Sequence, residues 1–351
     1  MIKEKFMIKR NFNSMCALVL AIGVSFTSCS DDDDNDGGND DYDSVTVYAS
    51  NNSNGNISVY DFESDQMVET KTLITTTTAA DGIYYDDDSE SVFQASRSGN
   101  SLEGFANIDD LVTESILNIN FAGTSDMSSP REVAVNGNLF VVADNADVDG
   151  DEMTPDGRLF IYSFDGSSFT LRNVITTEFK LWGITFNDND LYAVVDATNE
   201  LAVFNDFLSN NTDATVSASK RIAIEGIVRT HGITYDDSTD TLIMTDIGEA
   251  SNGQDDGGFH IIAGFTNKFN AVSDGETMAV AGNQVRVSGA STLMGNPVDV
   301  AYDSDNEIIY IAEAGNGGGR ILGFSNFTAG GDIAPTFNSA LASASSVYLE
   351  D

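Results

Sequence analysis

Five stretches of this chain are variations on one phrase: DGIYYDDDSESVFQAS (81–96), PREVAVNGNLFVVADN (130–145), WGITFNDNDLYAVVDA (182–197), HGITYDDSTDTLIMTD (231–246) and PVDVAYDSDNEIIYIAEA (297–314). Each reads as a short strand, a turn of Asp, Asn, Gly or Ser, and a second strand rich in aliphatic and aromatic residues. A third strand follows in RLFIYSF (158–164), LAVFNDF (201–207), FHIIAGF (259–265), RILGFSNF (320–327) and, more weakly, LEGFANI (102–108). Poorer fourth segments, such as TKTLI (70–74) and SKRIAIEG (219–226), complete a four-stranded unit. Outside the first residues no helical periodicity is sustained.

Gly82, Glu132, Gly183, Gly232, Asp299 and Ser346 occupy equivalent positions, mostly ~50 residues apart with one longer interval before Asp299. Six equivalents predict an all-β fold, a six-bladed β-propeller with four-stranded blades, in which each unit buries both faces against its neighbours. The chain ends agree. SVTVYAS (44–50) and ISVYDF (57–62) lack an innermost strand before them, and the terminal SSVYLED (345–351) has the pattern of that strand. The C-terminal strand is therefore expected to join the N-terminal blade and close the ring, which removes an open edge.

Residues 297–324 resemble an NHL-type repeat, and WGITFNDNDLYAVVD with HGITYDD resembles the repeats of gluconolactonase and regucalcin-like propellers. The resemblance spans nearly everything from Ser44 onward and describes blades and turns more than chemistry. It implies a divalent cation in the central channel, held in part by an Asp before the inner-strand glycine, the place of Asp81. Trp182 and His231 stand where that family has an Asn ligand, and Val298 cannot bind metal.

Ahead of Ser44 the chain carries signals of another kind. Lys3, Lys5, Lys9 and Arg10 precede an apolar run from Cys16 to Phe26, too short for a membrane span, and then Thr27-Ser28-Cys29. FTSC (26–29) resembles the lipobox of bacterial lipoproteins, with Phe26 where Leu is usual. The resemblance implies a signal peptide over 1–28 and lipid on Cys29. With Cys16 removed, one cysteine remains and no disulfide can form within the chain. Residues 29–43 hold eight aspartates between Asp31 and Asp43, a composition expected to form a disordered tether. That stretch also resembles the acidic segment of surface-exposed lipoproteins in one Gram-negative phylum. The expected organisation is a signal peptide, a tether over 29–43 and a propeller over 44–351, lipid-anchored at the outer membrane and exposed at the cell surface.

The formal charge of −40 argues against nucleic acid and anionic lipid headgroups as partners and favours cations. A propeller gathers its functional loops around the channel mouth. The residues entering the inner strands there are Asp81, Arg131, Trp182, His231, Val298 and Ser345, and rim acids Asp144, Asp196, Asp246 and Glu313 end the second strands. His231 can serve as a base or a ligand contact, and Trp182 can stack on a flat ligand. In the insertion NADVDGDEMTPD (145–156), oxygen ligands alternate at Asn145, Asp147 and Asp149 before Gly150, and Asp151 and Asp156 could complete a shell for structural calcium. A second insertion, IGEASNGQDDGG (247–258), reads as a flexible loop. No G-x-S-x-G, H-E-x-x-H, P-loop or paired C-x-x-C motif occurs. The sequence therefore favours a binding propeller with a protein, peptide or glycan ligand over its rival, a metal-dependent lactonase or other hydrolase at the channel.

Overall fold

The computed structural model describes residues 44–63, 66–151 and 153–350. The expected signal peptide, Cys29 and the acidic stretch lie outside the described residues. Six sheets succeed one another along the chain. The inner strands, blades I to VI, are Ala344–Glu350, Ala80–Asp86, Pro130–Asn136, Leu181–Asn187, Ile233–Asp236 and Pro297–Asp303. Each pairs antiparallel with a second strand: Val45–Asn51, Ser91–Ser96, Leu139–Asp144, Asp190–Val195, Thr241–Asp246 and Ile308–Glu313 respectively. Every inner strand also contacts the inner strand of the next blade, VI against I included, so the ring is closed.

Closure falls where the chain ends require it. Ala344–Glu350 lies antiparallel to Val45–Asn51, with Tyr348 opposite Tyr48 and Val347 opposite Ala49. Blade I is thus built from both ends of the propeller, and neither half presents an unpaired inner edge.

The apolar core is six walls rather than one mass, and strand alternation builds them. In blade III, Val141 and Ala143 pack toward blade IV, while Phe140 and Val142 pack toward blade II. In blade VI, Ile309 and Ile311 face blade V, and Ile308, Tyr310 and Ala312 face blade I. The second strands of blades III and VI therefore read as near-continuous apolar runs, because both of their faces are covered. The wall between blades II and III is aromatic: Phe93 is fully buried, with ring centroids 4.9 Å from Phe140 and 5.3 Å from Phe164.

Two blades depart from the four-stranded expectation. Ala214–Thr215 pairs in parallel with the outer strand Phe169–Thr177 of blade III, and Thr277–Met278 does the same with Lys220–Ile224 of blade IV. Both additions come from the following blade and cover an outer edge. Single parallel bridges, Ile74 to Ile116 and Val287 to Gly331, treat blades I and V similarly. The long interval before Asp299 holds a short helix, Phe265–Ala271, whose Phe265 and Phe269 fill the wall between blades IV and V. Two aromatic anchors on seven residues gave no sustained period to read.

Candidate functional site

The acids that end the second strands are structural pins. Asp144 accepts hydrogen bonds from the Ser128 and Ser129 amides (3.1 and 2.6 Å) and from Arg158 Nε at 3.0 Å. Asp246 accepts from the amides of Val228, Arg229 and Gly248. Glu313 accepts from those of Gly295, Asn296, Gly315 and Asn316. All three are fully buried. Each fastens the segment entering the inner strand to the exit of the second strand of the same blade. The two sets of loops accordingly share one face, as expected, but these three acids do not stand on its surface.

Asp196 has a different role, and it belongs to the mouth. It receives Arg229 Nη2 at 2.7 Å and Asn145 Nδ2 at 3.0 Å, and its Oδ1 lies 3.4 Å from His231 Nε2. Burial opposes its charge, yet the close His231 ring and the hydrogen bonds from Asn145 and Arg229 hold its carboxyl well below the usual range. The four expected mouth residues do converge, and they converge on one another. Arg131 Nη1 donates to Asp81 Oδ2 at 2.8 Å, and Asn52 Nδ2 donates to Asp81 Oδ1 at 2.5 Å. The Arg131 guanidinium carbon lies 4.0 Å from the centre of the Trp182 ring. On the other face of that ring lies His231, centroid to centroid 3.6 Å and nearly parallel at 4°.

Guanidinium, indole and imidazole thus form a three-layer plug braced by Asp81 and Asp196. Asp81 is 3% and His231 4% exposed, so neither is open to a substrate from this face. Burial lowers the His231 pKa to about 4 against the pull of Asp196, so the ring is neutral at pH 7. Polar atoms are left over inside the plug: among the described residues, His231 Nδ1, Thr230 Oγ1, Arg131 Nε, Arg229 Nε and Asn52 Oδ1 have no hydrogen-bond partner. Buried polar groups of this kind are ordinarily met by ordered water.

The acidic insertion resolves into two groups. Asp147, Asp149 and Asp156 each bring a carboxylate oxygen within 4.8 Å of the others. Asn145 turns away to Asp196 and to the Leu181 carbonyl, and Asp151 accepts from the Met153 amide. The three converging acids also bond their own loop, Asp147 to the Gly150 amide, Asp149 to that of Asp151 and Asp156 to that of Val148. Lys180 Nζ lies 3.7 Å from Asp147. The second insertion is docked rather than free. A Cβ on Gly295 would lie 2.2 Å from the Gly253 backbone and one on Gly315 2.6 Å from the Gly253 carbonyl, so small residues on blade VI let the loop sit against it. Asn316 also donates to the Gln254 carbonyl.

The axis itself holds a cavity of about 350 Å³ whose lining includes none of the four mouth residues. It begins at Glu132 and Asp299 and runs along the inner strands past Val135, Phe186, Tyr302 and Leu349, which are half-buried and lie toward the opposite face. Of the six equivalent repeat positions, Glu132 and Asp299 line its closed end. A Cβ on Gly82 would stand 2.6 Å from the Glu132 Cα, and one on Gly232 2.5 Å from the Asp299 Cα, so glycine is required where the next inner strand crosses. The other three positions carry Ser346, Glu132 and Asp299. Ser346 Oγ accepts from the Ile83 amide at 3.2 Å and donates to Asp299 Oδ2 at 2.6 Å. The Val347 amide donates to the same oxygen at 2.9 Å. Burial first, and then the neighbouring acids, push both Glu132 and Asp299 well above the usual carboxylate range. These two were visible in the sequence as the acids replacing glycine in the repeat, although nothing in one sequence says that this position faces an axial well.

No protein-family model matches the chain, and no curated protein matches it in sequence. Solved structures do match in shape. A chain from a nidogen/laminin complex superposes with a TM-score of 0.58 at 12% identity, covering 88% of this chain and 98% of its own. A candidate 6-phosphogluconolactonase from Bacteroides fragilis gives 0.56 at 11% identity, with the same coverage of 88% and 98%. A Bacteroides caccae protein of unknown function gives 0.50 at 9% identity, covering 87% and 98%. At these identities the likeness concerns fold alone, and by fold the chain is a six-bladed β-propeller with both ligand-binding and lactonase-like neighbours.

Proposed function

We propose that the protein is a binding propeller, lipid-anchored through Cys29 at the outer membrane and exposed at the cell surface, whose loop-bearing face receives a protein or peptide. One observation carries this reading. The face is closed at the axis by the Arg131–Trp182–His231 plug, while its loops expose apolar side chains, Val148 (57%), Met153 (87%) and Val228 (51%). Exposed apolar side chains among acids on one face suit a protein partner. A glycan platform is less favoured, because the single tryptophan has both ring faces occupied. The hydrolase reading requires Asp81 and His231 to meet substrate at the mouth, and both are covered. Fold neighbours of both kinds leave the choice to these residues.

The test is a photo-reactive residue in place of Met153 in cells. A discrete adduct with one partner is expected, lost on adding Val228→Asp and absent when the probe replaces Asp305 on the opposite face. Adducts that ignore both changes would sink the reading. The anchor is tested separately: Cys29→Ala should release the protein from membranes, and retention there would refute lipidation.

A further inference from the structure

We propose that the axial well is a second binding site, independent of the loop-bearing face, for a small organic ammonium ion whose charged head meets Glu132, with Asp299 beside it. The walls and the closed end have opposite character. Tyr84, Phe186, Tyr302 and Tyr348 line the cavity together with aliphatic residues such as Ile184 and Val300. At its closed end stand two carboxyl groups, and no lysine or arginine is among the lining residues. Two acids in one low-dielectric well lack a counter-charge, and a cation with an apolar body supplies it.

The donor set selects the kind of cation. A hard divalent ion requires six or more oxygen ligands. Here Asp299 Oδ2 already accepts from Ser346 and Val347, Ser346 gives its proton to that bond, and Glu132 Oε1 takes the Val133 amide at 2.8 Å. What remains is Glu132, half-buried at the closed end, and four aromatic residues in the lining, suited to an ammonium group and its hydrocarbon. A cavity of about 350 Å³ is at the small end of ligand sites and suits roughly ten non-hydrogen atoms. The raised pKa values of the two acids agree with the missing counter-charge. Asp81 behind them and the phenols of Tyr84, Tyr302 and Tyr348 are the other titratable groups near the pair.

Calorimetric titration of the propeller with benzylammonium and n-butylammonium, against benzyl alcohol and calcium chloride, tests the site. The ammonium ions are expected to bind saturably, with benzylammonium at least about tenfold tighter than benzyl alcohol, the worth of one charge-assisted hydrogen bond. Glu132→Gln should erase that preference, and Thr234→Trp, which fills the well without altering the acids, should abolish binding. If the latter fails to fold, Thr185→Phe fills the same space. The proposal is overturned if neither ammonium ion binds, if benzyl alcohol binds equally well, or if binding survives both Glu132→Gln and the filling variant and so belongs to the acidic exterior. Stoichiometric calcium binding lost in Glu132→Gln would overturn it in favour of a metal site.

Discussion

The Trp182 indole and the His231 imidazole lie face to face, 3.6 Å apart and 4° from parallel, with Arg131 on the far side of the indole. The stack joins blades III, IV and V at their inner strands, where a propeller would otherwise have an open mouth. Holding His231 neutral is part of this arrangement: burial lowers its pKa, and the charges of Arg229 and Arg131 add to that.

That neutrality predicts acid sensitivity. The folded pKa of about 4 lies below the ordinary 6.5, so between these values the unfolded chain binds the proton and the folded chain does not. The contribution is complete above pH 6.5 and is lost as pH falls through about 4, amounting to about 3 kcal/mol at most. His231→Phe keeps the stack and removes the titration. Its unfolding free energy should be flatter than the parent's between pH 6.5 and 4 in urea melts, and identical slopes would refute the assignment.

Asp299 predicts the opposite slope. Its carboxyl is pushed up to about 7 from an ordinary 3.8, mainly by burial, so the folded state holds a proton that the unfolded state has released. Stability from this group declines as pH rises from about 4 to about 7 and stays low above. Asp299→Asn retains an acceptor for Ser346 and Val347 and should be more stable than the parent at pH 8, with a difference that shrinks toward pH 4. A variant destabilised equally at both pH values would show that the carboxyl is not protonated in the fold.

The acidic loop carries a cation prediction narrower than its sequence. We propose that calcium, if held there, is held by Asp147, Asp149 and Asp156, whose oxygens lie within 4.8 Å of one another, and not by Asn145 or Asp151. Millimolar calcium should raise the melting temperature of the parent. Asp147→Asn should remove the increment while Asp151→Asn leaves it. No shift in the parent would end the proposal.

Ring closure predicts all-or-none behaviour at the C-terminus. Deleting residues 344–351 takes away the inner strand of blade I, leaves Val45–Asn51 with an open edge and uncovers part of the wall against blade VI. The truncated chain is expected to lose its cooperative melt and to associate. A monomer melting at the parent's temperature would show that the closing strand is dispensable.

Much of this molecule was legible before any coordinate. A blade repeat is local, and its strands, turns and spacing are written in consecutive residues; the complementary ends, Ser44–Ser50 and residues 345–351, even told how the ring closes. The convergence of Asp81, Arg131, Trp182 and His231 also follows from repeat position. What repeat position could not give is the direction of each side chain. Asp144, Asp246 and Glu313 sit where exposed acids would sit, and backbone amides from the neighbouring loop draw them inward. Asn145 begins what reads as a cation loop, and its amide goes instead to Asp196, a blade away. The fifth strands of blades III and IV depend on partners some forty to fifty-five residues on, as with Ile175 and Ala214, a pairing no local pattern announces.

The sequence by itself therefore determined the blade, the number of blades and the closure, since each rests on a short-range pattern repeated around the chain. Only the tertiary structure decided whether the mouth would be a pocket or a plug, because that depends on how four side chains from four different blades share one volume. The same packing turned Glu132 and Asp299, two acids in a row of small residues, into the closed end of an aromatic well.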